Sequence, residues 1–97
     1  MIHFKAKRVT ITAALPYVNG VKHLGNLAGS ILPADVFHRW LDIMGIDNVY
    51  ICGTDEHGTA VELAAFDEKL SPQEYADKYH EIQKEIYRKW NFNFTFF

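Results

Sequence analysis

Cysteine is nearly absent from this chain of 97 residues, since Cys52 stands alone. A single cysteine excludes an internal disulfide and a cysteine-based zinc site within the chain, and we expect no metal site in it. Long apolar segments are also missing. The two longest uncharged stretches, residues 9–21 and 23–34, are too short to cross a membrane and contain prolines. We therefore expect a cytoplasmic protein that does not enter a membrane, with Cys52 as an inert buried thiol.

Positive charge is also scarce. Ten Lys and Arg residues face twelve Asp and Glu residues, which gives a net charge of −2 and a pI near 6.2. A domain that binds RNA through the phosphate backbone alone gathers its basic residues on one face. Here the basic residues are scattered along the chain. Any nucleic acid must therefore be held mainly by parts outside this chain.

Apolar residues, by contrast, recur throughout the sequence. They make up 48% of it and aromatic residues make up 14%, which excludes a disordered chain. A chain of 11.2 kDa has room for one modest hydrophobic core and for a single domain.

The first half of the sequence reads as a strand followed by a helix. Residues 9–14 are small or β-branched and predict a buried strand, which ends at Pro16. From His23 the apolar period changes to three and four residues, and Gly45 ends this helical pattern. Pro33 predicts a kink within it. We expect the following side chains on the buried stripe: Leu24, Leu27, Ala28, Ile31, Ala34, Phe37, Leu41 and Met44.

The second half continues with a strand over residues 47–54 and a helix over residues 60–70. Ser71, followed by proline and then glutamate at the third helical position, is a strong start signal for another helix. The tail, residues 91–97, alternates and predicts a third strand with three side chains on one face: Phe92, Phe94 and Phe96.

The resulting order, β-α-β-α-α-β, predicts an α/β fold with a parallel, doubly wound sheet of the Rossmann type. About three strands make only half of an ordinary sheet of this kind. The apolar tail would leave an unpaired strand edge. We therefore expect the chain to be the front part of a longer protein.

Ligands of such sheets bind beyond the carboxyl ends of the strands, where two polar loops lie, residues 15–26 and 54–58. The first loop reaches a helix start at His23, Gly25 and Asn26. A helix start favours phosphate, and a glycine lets a flat ring approach the backbone. The alternative is that these residues only form a turn. The sequence contains neither the dinucleotide fingerprint nor the P-loop pattern.

The letters around these loops resemble a known family. The segment ALPYVNG, followed by HLGN at residues 23–26, resembles the HIGH region of class I aminoacyl-tRNA synthetases. Together with LPADVFHRWLDIMG and YICGTDEHGT, it resembles the methionyl-tRNA synthetases of the archaeal-type branch, from about residue 9 to residue 90. The resemblance implies that residues 1–97 are the N-terminal half of a Rossmann-type catalytic domain. It implies ATP-dependent activation of methionine, with ATP and Mg²⁺ as substrate, and transfer to tRNA.

The resemblance also implies roles for individual residues. His23 and Asn26 would be the catalytic residues that contact the triphosphate of ATP, and Gly25 would lie under the adenine. This sequence has Asn26 where many members have a second histidine, and asparagine donates a hydrogen bond without carrying positive charge.

For methionine, the resemblance implies that the Leu15 carbonyl and the Asp55 carboxylate hold the ammonium group, and that Tyr17 lines the thioether pocket. Without the resemblance, Asp55 could equally cap the following helix. His57 either bonds within its loop or contacts substrate.

Several parts of such an enzyme are missing from this sequence, foremost the lysine-rich KMSKS signature. We therefore expect no aminoacylation by the isolated chain, and tRNA binding through regions outside it. Two alternatives stay open: a subunit of a split synthetase that needs the missing C-terminal half or a complementary subunit, and a non-catalytic module that binds nucleotide or methionine. A small nucleotidyl transferase is disfavoured by the TDEHGT segment.

Overall fold

Two short strands pair in parallel at the centre of the protein. A computed structural model describes Lys5 and residues 7–97, so residues 1–4 and 6 of the predicted domain lie outside the described part. The elements are β1 (Val9–Thr12), α1 (Leu24–Asn26), a π-helical turn (Leu27–Ile31), α2 (Leu32–Ile43), β2 (Asn48–Ile51), α3 (Thr59–Asp67) and α4 (Pro72–Lys89). In the sheet Val9 pairs with Asn48 and Thr12 with Ile51. A helical crossover joins the strands, which confirms the predicted parallel α/β fold.

A π-helical turn stands where the proline predicts a kink. The backbone N–H of Leu32 bonds to the carbonyl of Leu27, five residues back. Pro33 is the second residue of α2 and directly follows this π-helical turn, a place where helices accommodate an irregularity. The helical run from Leu24 to Ile43 therefore continues past the proline.

The buried face of the helical run from Leu24 to Ile43 differs from the predicted stripe. Leu27, Ile31 and Leu41 are buried as expected, but Leu24, Ala28, Phe37 and Met44 are exposed. Their places on the buried face are taken by two polar side chains, Asp35 and His38.

The tail shows why polar side chains can be buried on α2. Asp35 accepts a hydrogen bond of 2.6 Å from the backbone N–H of Asn93 and one of 2.7 Å from Arg39 Nε. His38 contacts the side chains of Asn48 and Asn93. Because each of these polar groups has hydrogen-bond partners within the described residues, both can be buried.

The predicted third strand is wrong: the tail forms one parallel bridge, between Ile51 and Phe96, and no extended strand. Its rings do not share one face. Phe94 lies 4.7 Å from the ring of Tyr50, whereas Phe96 remains 66% exposed. Phe97 packs edge-on against Tyr87 of α4, at 5.3 Å. Aromatic packing against two different elements thus replaces regular strand pairing.

Helix α4 begins as the sequence predicts. The Ser71 side chain accepts a hydrogen bond from the backbone N–H of Glu74, whose carboxylate accepts one from the Ser71 backbone. Helix α4 packs against α3, and the core between them includes Val18 of the first loop, which is fully buried. None of the helices in the described ranges is long and apolar enough to cross a membrane.

Candidate active site

A cleft of about 430 Å³ lies between the first loop and the π-helical turn, beyond the carboxyl end of β1. Four residues that the sequence analysis singles out line it: Leu15, Tyr17, Gly25 and Asn26. The other lining residues are Ala14, Pro16, Asn19, Lys22, Gly29, Ser30 and Ile31.

Asp55 lies against the first loop, although it is not part of the cleft wall. Its backbone N–H donates to the Pro16 carbonyl at 2.8 Å, and its carbonyl accepts from the Val18 N–H at 3.1 Å, which forms a parallel bridge between Tyr17 and Asp55. The Asp55 carboxylate has no hydrogen-bond or ion-pair partner within residues 7–97. The fold therefore brings the two predicted loops side by side. His57, farther along the second loop, is exposed and does not line the cleft.

His23 and Asn26 form a capping box at the start of α1. The backbone N–H of Gly25 donates to His23 Nδ1 at 3.1 Å, and the His23 N–H donates to Asn26 Oδ1 at 3.2 Å. With Nδ1 accepting, the neutral imidazole carries its proton on Nε2. The acceptor atoms of both side chains are thus engaged locally. The Nε2–H of His23 and the amide N–H₂ of Asn26 remain as donors, which suits an anionic ligand.

Gly25 has a steric role in this arrangement. A Cβ at this position would lie 3.0 Å from Cε1 and 3.1 Å from Nδ1 of His23. A side chain here would therefore require the imidazole to shift by a few tenths of an ångström. The role predicted from the sequence, an approach of adenine to Gly25, stays a prediction.

Comparison with known proteins identifies the family of this chain. The family model described as "tRNA synthetases class I (M)" matches residues 9–97. The chain belongs to this family. The cytoplasmic methionine–tRNA ligase of Bos taurus is 54% identical over 91 residues, and the methionine–tRNA ligase of Hyphomonas neptunium is also 54% identical over 91 residues. Each comparison covers 94% of this chain, but only 10% and 16% of the respective relative.

The fold is also similar to that of a solved class I synthetase. The methionyl-tRNA synthetase of Mycobacterium tuberculosis, in a complex with methionyl-adenylate, superposes with a TM-score of 0.88 at 24% identity. The match covers 93% of this chain and 18% of that one. The likeness agrees with the Rossmann-type fold predicted for the first part of a class I synthetase domain.

In this class I synthetase chain, two further residues shape the cleft without a clear signal in the sequence. Lys22 lines it, and partial burial lowers the pKa of the ammonium group. Ser30, in the π-helical turn, accepts a hydrogen bond of 3.1 Å from the backbone N–H of Ala14. This bond fastens the end of the first strand segment to the opposite wall of the cleft.

Gln83 connects α4 to the first loop by hydrogen bonds. Its side chain is fully buried, and its amide donates to the carbonyl oxygens of Tyr17 at 2.9 Å and Gly20 at 3.3 Å. Its own oxygen accepts from the Tyr87 hydroxyl at 3.4 Å. The sequence gives no clear signal for this role, because the two carbonyls lie 66 and 63 residues away along the chain.

A second polar cluster flanks Asp55 on both sides. The Thr54 hydroxyl lies 2.5 Å from Glu56 Oε1 and 2.8 Å from Nδ1 of His80 on α4. The His80 ring stacks on Phe97 at 5.3 Å. These contacts fix the loop that presents the Asp55 carboxylate.

Two further features concern ligands and reactivity. Cys52 is buried, and burial raises the pKa of its thiol, as expected for an unreactive cysteine. Among the described residues, no group of three or more His, Cys, Asp or Glu side chains is placed to hold a metal ion.

Proposed function

We propose that this chain supplies the methionine- and ATP-binding half of a methionine–tRNA ligase active site. The reaction is the ATP-dependent activation of methionine to methionyl-adenylate, followed by transfer to tRNA. The observation that carries the proposal is the bridge between Tyr17 and Asp55, which joins the loop that lines the cleft to the loop that bears the Asp55 carboxylate. Membership of the family and the names of the relatives support the same reaction.

The methionine end of the site consists of Leu15, Tyr17 and Asp55. The carboxylate of Asp55 has no partner among the residues described, so it is available for the ammonium group of an amino acid. The Tyr17 side chain is 52% exposed at the cleft and offers an aromatic face to a thioether. The Leu15 carbonyl is the second acceptor for the ammonium group. His57 is a further candidate for substrate contact; it is exposed and lies two residues beyond Asp55.

The ATP end consists of His23, Gly25 and Asn26. In the activation step a carboxylate oxygen of methionine attacks the α-phosphorus and pyrophosphate leaves. His23 Nε2–H and the Asn26 amide donate to the phosphate oxygens, on which negative charge is redistributed in the transition state. Gly25 lies under the adenine. In the second step a hydroxyl at the 3′ end of tRNA attacks the carbonyl carbon, and AMP leaves.

The isolated chain is proposed to bind these small substrates without charging tRNA. Phosphoryl transfer depends on charge and positioning from both sides of the phosphate chain, and the chain has no lysine-rich second signature. Mg²⁺ enters with ATP, tRNA contacts other regions, and the missing C-terminal half or a complementary subunit completes the site. The cytoplasm is the proposed location, as for the bovine relative named above.

The proposal is tested by calorimetric titration of the purified chain with a stable methionyl-adenylate analogue that carries a sulfamoyl linkage. We expect saturable binding that weakens at least tenfold in Asp55→Asn and in His23→Ala, while Asp77→Asn on the exposed face of α4 leaves it unchanged. Absence of binding, or equal binding by all variants, would refute the assignment of the site. Charging of tRNA by the chain above the His23→Ala level would refute the proposed inactivity. Saturable binding of methionine with no binding of MgATP would favour a non-catalytic module that binds methionine.

A further inference from the structure

We propose that Lys22 binds the phosphate chain of the nucleotide, so that this half of the cleft carries a cation of its own. The proposal rests on the proposed function, because it assigns a further residue to the same site. Lys22 is the only basic residue among those that line the cleft. Its neighbours on the cleft wall include Asn19, Gly25 and Asn26.

Five of the ten basic residues in the described part of the chain have a carboxylate partner, and Lys22 is the only one of the other five that lines the cleft. In the described part of the chain, the paired basic residues are Arg8 with Asp47, Arg39 with Asp35, Lys78 with Glu68, Lys84 with Glu81 and Arg88 with Glu85. The Lys22 ammonium has neither an ion pair nor a hydrogen bond within residues 7–97. A cation that is partly withdrawn from water and unpaired gains more from a bound anion than a fully solvated one does.

The hydrogen-bond donors close to Lys22 in the chain suit an anionic ligand. The acceptor atoms of His23 and Asn26 are already engaged by backbone N–H groups, so that the side chains next to Lys22 in the chain offer donors. Burial lowers the pKa of Lys22, and a phosphate beside it would restore that pKa. The chain contains no lysine-rich second signature, so Lys22 is the cation that this half can contribute to the triphosphate.

The test uses the purified 97-residue chain and three probes: MgATP, inorganic tripolyphosphate and adenosine. Dissociation constants are measured by calorimetry for the natural chain, Lys22→Met, Lys22→Arg and Lys84→Met. The last variant removes the same charge at a site on α4 that does not line the cleft. Methionine serves as a fourth probe, because its carboxylate is the other anion that could reach Lys22. Circular dichroism checks that each variant is folded.

We expect Lys22→Met to weaken MgATP and tripolyphosphate about tenfold or more, and adenosine and methionine less than about twofold. Lys22→Arg should retain phosphate binding, and Lys84→Met should behave as the natural chain does. The difference between Lys22→Met and the natural chain should shrink at high salt.

Each contrary result has a defined meaning. If Lys22→Met binds MgATP as well as the natural chain, the role of Lys22 is refuted and the proposed function stands. If Lys22→Met weakens methionine and not tripolyphosphate, Lys22 binds the amino acid's carboxylate and the phosphate assignment is wrong. If neither MgATP, adenosine nor methionine binds the natural chain, both proposals fail together. If Lys22→Met does not fold, Lys22→Gln replaces it under the same criteria.

Discussion

Replacing Gln83 with leucine should destabilise the protein by detaching the first loop from α4. The amide of Gln83 makes one good hydrogen bond, 2.9 Å to the Tyr17 carbonyl, and a longer one of 3.3 Å to the Gly20 carbonyl. It also accepts from the Tyr87 hydroxyl. Each partner left without a bond in a buried place costs about 1–3 kcal/mol, and the extra apolar contact of leucine offsets part of this. Because the Tyr17 carbonyl is only partly buried, we expect a net loss of about 1–3 kcal/mol in the free energy of unfolding.

The assay is urea unfolding followed by circular dichroism, and the midpoint should fall by about 1–2 M with an unchanged slope. The matched control is Gln73→Leu on the same helix, where the exposed amide bonds only to Asp77 in the next turn, at 2.7 Å. That pair contributes about 0.3 kcal/mol to the free energy of unfolding. Equal midpoints for the Gln83→Leu and Gln73→Leu variants would refute the idea that Gln83 anchors the loop.

Three further predictions concern the caps and a buried tyrosine. Gly25→Ala should displace the His23 ring and lose its capping bond, which costs about 1 kcal/mol in the free energy of unfolding. Nitrogen NMR of the imidazole reports this change, and unchanged Nδ1 and Nε2 chemical shifts would contradict it. Ser71→Ala should lower the urea midpoint by the equivalent of about 1 kcal/mol, whereas Ser71→Asp should not. Equal losses in the two variants would show that the hydrogen bond from the Glu74 N–H to the side chain at position 71 is unimportant. Burial raises the pKa of Tyr87 to about 12, so the fold favours the neutral phenol. The contribution of this phenol to the free energy of unfolding is complete below pH 10 and declines between pH 10 and 12. Tyr87→Phe should flatten that decline in urea midpoints, and an unaltered profile would argue against the shift.

The features that the sequence predicts well are those set by local or topological rules. The Ser71 cap depends on residues within one turn, and the parallel pairing of β1 with β2 follows from the helical crossover between them. The two motif loops meet for the same reason, since they follow adjacent strands. Of the predicted site residues, Leu15, Tyr17, Gly25 and Asn26 line one cleft, whereas His23, Asp55 and His57 are not part of its wall.

The features that the sequence misses depend on contacts between distant parts of the chain. Gln83 bonds to a carbonyl 66 residues away, and Asp35 to a backbone N–H 58 residues away. No local pattern reveals such partners, so the sequence does not predict the burial of either residue. The tail misleads for another reason. An alternation of phenylalanines is typical of a strand. Here Phe94 instead packs against Phe97 in an aromatic cluster, with ring centroids 5.0 Å apart.

The capping box at His23 and Asn26 means that two side chains are ordered before any ligand arrives. A flexible side chain that becomes fixed on binding costs about 0.5–1.5 kcal/mol in lost rotamer freedom. Here the backbone of α1 has already restricted both rotors through bonds of 3.1 and 3.2 Å. Affinity for an anion at this place is therefore limited by the removal of water, and hardly by the conformational entropy of the two side chains that receive it.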